Sequence, residues 1–397
     1  MVRFLTRRVD GVNFVDARQV KTYDTIVVGA GSMGSAAIYH LASRRQRVLG
    51  LDQFDVPSSR GASAGVNRII RLAYAEHPNY VPLLRRAYEL WRDLERIVNE
   101  RLLVITGGID AGSENGAIVT GSLRSCREHS LSHDVLNAAD LHRRFPGYAL
   151  PNDTVAVYQP DGGFLMSERC VVAYLNAALA LGAEVHGRER VRGWDVLPDG
   201  VRVITDFDRY EARALIVTAG PWTARVLPKL AAVVVPERQV LLWTHPLRPE
   251  CFQLERFPVF NMEAAEGRFY GFPIHHVPGF KIGKYHHRHQ RVDPDSVDRE
   301  CHPEDERVLR EAIRRYFPDA DGPTLAMQVC LFSNTPDEHF IIDNLFDTRH
   351  VVIAAGFSGH GFKFCSVVGE VVADLVLQGS THFDLGLFRL GRPALRL

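Results

Sequence analysis

The sequence predicts a mixed α/β (α+β) fold: a Rossmann-like nucleotide-binding domain built from discontinuous pieces, with a second mixed-sheet domain inserted in two parts. Three observations lead there. An apolar strand pattern runs into G-x-G-x-x-G close to the N-terminus. Two later apolar runs, "ALIVTAG" and "HVVIAAG", again end in glycine turns. Between about 236 and 325 the pattern changes to strand-like runs followed by one charged helix. The expected division is an extension over 1–21, the nucleotide-binding domain over 22–105, 150–235 and 325–397, and the second domain over 106–149 and 236–324.

The segment "YDTIVVGAGSMGSAAIYHLASRRQRVLGLD" reads as strand, turn, helix and strand. Thr25–Val28 is continuously apolar or β-branched, as a strand buried on both faces should be. The helix begins near Ser32 and ends at Arg44-Arg45, and the second strand ends in Asp52. Gly29 allows the tight turn, Gly31 lets a pyrophosphate approach the backbone, and Gly34 lets helix and strand pack closely. Free N–H groups at the helix start, near Ser32 and Met33, favour phosphate. Asp52 stands where a carboxylate accepts from ribose hydroxyls. The motif alone does not separate FAD from NAD. The late strand "ALIVTAGPW" favours FAD by analogy of fold, and Val191, at the start of a strand-like run, is added as a cofactor contact.

Further along, "NYVPLLRRAYELWRDLERIV" has the apolar spacing of a long amphipathic helix. "NRIIRLAY" sets Arg68 and Arg71 three apart, on one face of a helix or turn, where one cation faces the cofactor and the other a substrate carboxylate. "SERCVVAYLNAALALGAEV" is another helix. Only five of the 47 basic residues are Lys, so each Lys draws notice. Lys281 lies in an apolar strand, where an inward ammonium is costly unless it is used. Tyr270 precedes it, and histidines cluster around it. No carboxylate or Cys accompanies those histidines at ligand spacing, so no metal is expected.

The C-terminal stretch "AAGFSGHGFKF" joins a strand to a helix through three glycines. Gly356, Gly359 and Gly361 let the backbone come within contact distance of a flat ring. The helix start turns its positive end toward that ring, Lys363 offers an ammonium to a carboxylate, and His360 can donate to ligand or cofactor.

Formal net charge is zero, which gives no pull toward nucleic acid or an anionic membrane. No apolar run reaches the length of a membrane span. The first twenty residues hold several Arg but also Asp10 and Asp16, and no apolar signal core. They read as a loose extension, and a cytoplasmic location is the default expectation. The six cysteines show no C-x-x-C spacing, so they are expected to be reduced thiols.

Taken together, "VVGAGSMGSAA", "NRIIRLAY", "CLFSNTPDEHFIID", "AAGFSGHGFKF" and the late "RPAL" resemble the monomeric sarcosine oxidase family of amine-oxidising flavoproteins, which includes N-methyltryptophan oxidase. The resemblance runs from Tyr23 to Leu395. It implies an FAD domain of the glutathione-reductase type, a mixed-sheet substrate domain, and FAD joined through a thioether to Cys330. It further implies that Lys281 activates oxygen, that Arg68 sits beside the flavin, and that Arg71 and Lys363 grip the substrate carboxylate. Tyr270 and His360 match further active-site residues. Where the family's sarcosine oxidases carry Tyr two residues after the linking Cys, this chain has Phe332. The interval from Lys281 to the family's active-site His is one residue longer when matched to His286, and Tyr285 competes for that place. The loop bearing His275 and His276 also differs. The implied activity is oxidation of a secondary amino acid, such as sarcosine or another N-methyl amino acid, with oxygen reduced to hydrogen peroxide. Pipecolate, N-methyltryptophan and fructosyl amino acids are alternative substrates, and a flavin-dependent amine dehydrogenase is the alternative chemistry. The protein is expected to be a monomer.

Overall fold

The N-terminal motif folds as strand Lys21–Val28, helix Ser32–Ser43 and strand Val48–Leu51 in the computed structural model, which describes residues 20–345 and 348–396. Of the extension expected over 1–21, residues 1–19 lie outside the described residues. The two strands pair in parallel, with Thr25 opposite Val48, and both are buried through their C-terminal halves.

Around this unit grows an eight-stranded sheet. Its parallel part runs Glu184–His186, Val48–Leu51, Lys21–Val28, Arg209–Val217 and Val351–Ala355. Ile341–Asn344 adds an antiparallel edge. The first half of Arg209–Val217 also carries an antiparallel meander of Val191–Leu197 and Gly200–Thr205.

Helices Ser32–Ser43, Ser167–Ala180 and Cys365–Gln378 pack together with Tyr80–Val98 over one apolar core that includes Ala36, Ile38, Leu84, Trp91, Val367 and Val371. A Cβ on Gly369 would lie 2.6 Å from atoms of Ala36. The crossing of the first and last helices therefore accounts for a glycine inside an otherwise apolar helix.

A second eight-stranded sheet runs Thr324–Asn334, Val235–Thr244, Phe280–Lys284, Gly267–Phe272, Val259–Ala264, Gly108–Ser113, Thr154–Gln159 and Asp134–Asn137. Only the pairing of Val259–Ala264 with Gly108–Ser113 is parallel, so the sheet is mixed. Helix Pro303–Tyr316 covers one face over a cluster of Phe252, Phe257, Phe260, Phe280 and Phe317. Strands Thr154–Gln159 and Thr324–Asn334 belong to this sheet, although the sequence division grouped both with the nucleotide-binding pieces. An apolar strand pattern shows that a strand is buried but not which sheet it joins.

A three-stranded sheet joins Asn67–Ile70, Gly163–Met166 and Leu103–Ile105. The segment "NRIIRLAY" therefore starts as a strand, not as the helical turn expected from its spacing. Neighbouring strand residues alternate sides, so positions three apart face opposite ways. Arg68 and Arg71 are separated accordingly. Among the described residues no helix is long and apolar enough to cross a membrane.

Candidate active site

The glycine turn builds one end of a long cleft. Gly29 adopts φ +93°, and a Cβ there would lie 2.5 Å from the Thr218 carbonyl oxygen. A Cβ on Gly34 would lie 1.7 Å from the Gly29 carbonyl oxygen, so this glycine serves packing and not the cleft. Gly31 has nothing within 4 Å on its Cβ side and lines the cleft with Ser32 and Met33. Asp52 accepts from the Ala30 and Phe54 backbone N–H groups, each at 2.9 Å. Burial nevertheless pushes its carboxyl above the usual range. Each of its oxygens keeps a lone pair for a ribose hydroxyl.

From Asp52 the cleft passes Val191 and continues to Arg68, Phe332, Ser333, Gly356, Gly359 and Gly361. It holds about 1510 Å³ of space outside protein atoms, open water at its mouth included. Among the described residues, the buried Ser333 Oγ on its wall has no hydrogen-bond partner. A glycine with free space beside it, a helix start, a ribose-height carboxylate and an orphaned hydroxyl fit an extended dinucleotide such as FAD.

Two cations share one loop beside this cleft. Lys281, 1% exposed, donates from Nζ to Gly65 O (2.6 Å), Asn67 O (3.0 Å) and Asn67 Oδ1 (2.7 Å). Arg68 donates to the same Asn67 O at 2.8 Å, to Ala62 O at 2.9 Å, and to Ala64 O. Burial, then the Arg68 charge, pushes the Lys281 ammonium well below its ordinary pKa. All three of its donors have neutral oxygen partners, and no carboxylate is bonded to it. Among the described residues, no bonded anion offsets the cost of keeping that buried amine charged.

Arg71 enters a closed ring of buried hydrogen bonds instead. Its Nε donates to Asp110 Oδ2 at 3.1 Å. Asp110 Oδ1 accepts from Asn261 Nδ2 at 2.9 Å, and Asn261 Oδ1 accepts from Arg268 Nε at 2.6 Å. Arg268 donates to Glu76 Oε1 at 2.6 Å, and Glu76 Oε2 accepts from Arg71 Nη2 at 3.3 Å. Burial alone would raise the Glu76 carboxyl, but Arg268 and Arg71 hold it well below the usual range.

Lys363 lies against the same place. Its Nζ and the Arg71 guanidinium carbon are 5.2 and 5.1 Å from the centre of the Tyr74 ring. The buried Nζ donates to one acceptor, His360 O, at 2.7 Å. Burial, then the Arg71 charge, pushes the Lys363 ammonium well below its ordinary pKa. Two guanidiniums (Arg71 and Arg268) thus offset two carboxylates (Glu76 and Asp110), and among the described residues no carboxylate is bonded to Lys363.

His360 is fixed by both ring nitrogens. Its Nε2 must donate to the Glu338 carbonyl at 2.9 Å, so Nδ1 accepts from Tyr74 Oη at 2.6 Å. Burial lowers its pKa to about 4, and the ring is neutral. It acts as a brace for Tyr74 and for the carbonyl that holds Lys363, and it has no ring donor left for a ligand.

Aromatic rings flank this buried cluster, the candidate substrate chamber. Tyr285 lies 5.2 Å from Tyr270 and 5.7 Å from Phe332, with the Arg268 guanidinium carbon 4.2 Å above its ring. His286 makes its contacts elsewhere, with Glu237 and Glu338. Of the two residues that competed for one role, Tyr285 is the one brought beside Tyr270. Cys330 is buried against Leu241, Trp243 and Tyr270. Burial raises its thiol pKa, and the Arg68, Lys281 and Arg299 charges only partly offset that.

Asp110, Asn261, Arg268 and Glu76 went unread in the sequence. Arg268 had a signal, since it shares a strand face with Tyr270 two residues on. Asp110 had none, because it arrives on a strand whose neighbour only the fold reveals.

The profile of the FAD dependent oxidoreductase family matches residues 24–375. Monomeric sarcosine oxidase of Bacillus sp. (strain B-0618) is 42% identical over 379 residues, covering 94% of this chain and 97% of its own. N-methyl-L-tryptophan oxidase of Yersinia pestis (strain Pestoides F) is 33% identical over 373 residues, covering 93% and 99%. Among solved structures, the open form of NikD, described as an unusual amino acid oxidase essential for nikkomycin biosynthesis, superposes with a TM-score of 0.80 at 25% identity, covering 93% of this chain and 98% of that one. Matched along almost its whole length, the chain belongs to the family of FAD-dependent oxidoreductases that includes monomeric sarcosine oxidase and N-methyl-L-tryptophan oxidase.

Proposed function

We propose that the protein is an oxidase of secondary amino acids, with an N-methyl amino acid such as sarcosine as the leading substrate. The carbon beside nitrogen is oxidised to an imine, water releases an aldehyde and the primary amine, and oxygen becomes hydrogen peroxide. Bound FAD supplies the two-electron oxidation and the return of those electrons to oxygen. Gly29, Gly31, Ser32, Met33, Asp52, Val191, Arg68, Gly356, Gly359 and Gly361 would hold it, with Gly34 shaping the turn.

The observation that carries the substrate reading is the buried Lys363 amine beside Arg71, which has no carboxylate partner among the described residues. Lys363 has one acceptor for three donors. An incoming carboxylate would meet Lys363 and the Arg71 side of the ring, and its negative charge would favour the ammonium form of Lys363. His360 keeps the Lys363 ammonium aimed by holding the local backbone. Tyr270, Tyr285 and Phe332 give the substrate amine an apolar wall, which favours its neutral form. Lys281 sits on the loop it shares with Arg68, where its protonated form would stabilise an anion forming on oxygen.

Cys330 is proposed as the covalent anchor of the flavin. The experiment is an oxygen-consumption and peroxide assay of the purified yellow protein on a panel of N-methyl amino acids, followed by acid precipitation. Peroxide matching oxygen consumed, and colour that stays in the pellet but leaves it in Cys330→Ala, are expected. Turnover only with an added electron acceptor would replace the oxidase reading with a dehydrogenase. Colour in the supernatant of the unaltered protein would remove the Cys330 link.

A further inference from the structure

We propose that Glu237, His286 and His289 form a binding site for a divalent transition-metal ion of the zinc class, apart from the dinucleotide cleft and the substrate chamber. One carboxylate oxygen of Glu237 and one ring nitrogen from each histidine lie within 4.8 Å of one another. The sequence hides this set, because Glu237 stands 49 residues before His286. The fold closes that gap. Strands Val235–Thr244 and Phe280–Lys284 are hydrogen-bonded neighbours, with Leu241 opposite Gly283, and both histidines follow the second strand directly.

The spacing suits a small tetrahedral ion. Bonds of about 2.0–2.1 Å put tetrahedral ligand atoms about 3.3 Å apart. The two Glu237 carboxylate oxygens already lie 3.0 and 3.2 Å from His286 Nδ1. The His289 ring is parallel to His286 within 8°, with centroids 5.6 Å apart. His289 is exposed, so a side-chain rotation at the surface brings its nitrogen in.

Surrounding groups hold the ligands as a metal site requires. His286 Nε2 faces Glu338 Oε1 at 2.8 Å. A ligating imidazole commonly gives its outer N–H to a carboxylate in this way. Gln239 and Asn334 donate to the two Glu237 oxygens at 2.9 and 2.7 Å and fix that carboxylate. Asn334 Oδ1 is buried beside it without a partner among the described residues.

Two imidazoles and a carboxylate select zinc or its borderline neighbours over magnesium and calcium, which take oxygen ligands. The ion replaces the proton that His286 shares with Glu237. Because the Glu338 carbonyl also accepts from His360, an ion that pins His286 to its carboxylates steadies the turn that orients the chamber.

The test is a zinc titration of chelator-treated, flavin-loaded protein against a chromophoric chelator. The unaltered chain, His289→Ala, Glu237→Gln and a control at another exposed histidine, His382→Ala, are compared. Saturation at one ion per chain is expected, with affinity at least about 10-fold weaker in His289→Ala and Glu237→Gln and unchanged in His382→Ala. His289 is exposed, so its loss leaves the fold intact and that variant alone decides. Absence of saturable binding, or equal affinity in the unaltered chain and His289→Ala, would overturn the site.

Discussion

Lys363 and Arg71 both serve the proposed carboxylate grip, but they carry different structural loads. Arg71 closes a ring with Asp110 and Glu76. Removing it leaves Asp110 buried without its ion-pair partner and Glu76 with Arg268 alone, which costs about 3–5 kcal/mol of stability. Lys363 is bonded to a carbonyl only, and its replacement by Met strands no charge. Lys363→Met is therefore expected to keep its melting temperature and to raise KM for N-methyl amino acids about 30-fold or more, the equivalent of about 2 kcal/mol of lost charge pairing. An uncharged secondary amine should be nearly unaffected. Arg71→Met should melt markedly earlier as well as bind poorly. Equal KM changes for charged and uncharged amines in Lys363→Met would remove that residue from the grip.

At the level of elements, the first strand–turn–helix was legible apart from the strand's start, which lies at Lys21 and not Thr25, and the glycines there predict separable effects. Gly31 has open space where a Cβ would go, whereas Gly34 has the Gly29 carbonyl at 1.7 Å. Gly31→Ala should fold normally and lose flavin, seen as a lower ratio of visible to ultraviolet absorbance. Gly34→Ala should lower the melting temperature itself. A Gly31→Ala protein with full flavin content would contradict the cleft described here. The segment 67–74 was misread because Arg spacing of three fits a helix, and nothing local shows that Asn67–Ile70 pairs with Gly163–Met166. Its consequence was also hidden: Arg68 turns to the cleft while Arg71 turns to Asp110. The sequence likewise showed Lys281, Lys363 and Tyr270 through their odd surroundings. Asp110 and Asn261 look like ordinary strand residues until Val259–Ala264 sits beside Gly108–Ser113.

Over the whole molecule, buried histidines set the acid side of stability. Burial lowers His40, His287 and His360 each to about 4, while an unfolded chain takes up the same protons near 6.5. Their folded pKa values are depressed, so their contribution is complete above about pH 6.5 and is lost as pH falls from there toward 4. His286 has the opposite sign. Glu237 first, then Glu338, raises it to about 9. In metal-free protein its contribution is complete below about 6.5 and is lost as pH rises through 9. Denaturation midpoints across pH should fall on both sides, with the alkaline fall flattened in His286→Gln and the acid fall reduced in His360→Asn. A midpoint independent of pH over either window would contradict these environments.

The most direct single measurement is anaerobic addition of an N-methyl amino acid to the purified protein while the visible flavin band is followed, with air admitted afterwards. The band should bleach in proportion to substrate and return in air with one peroxide formed per substrate oxidised. A band that does not respond to any secondary amino acid, or that bleaches and stays bleached in air, would contradict the proposed oxidase.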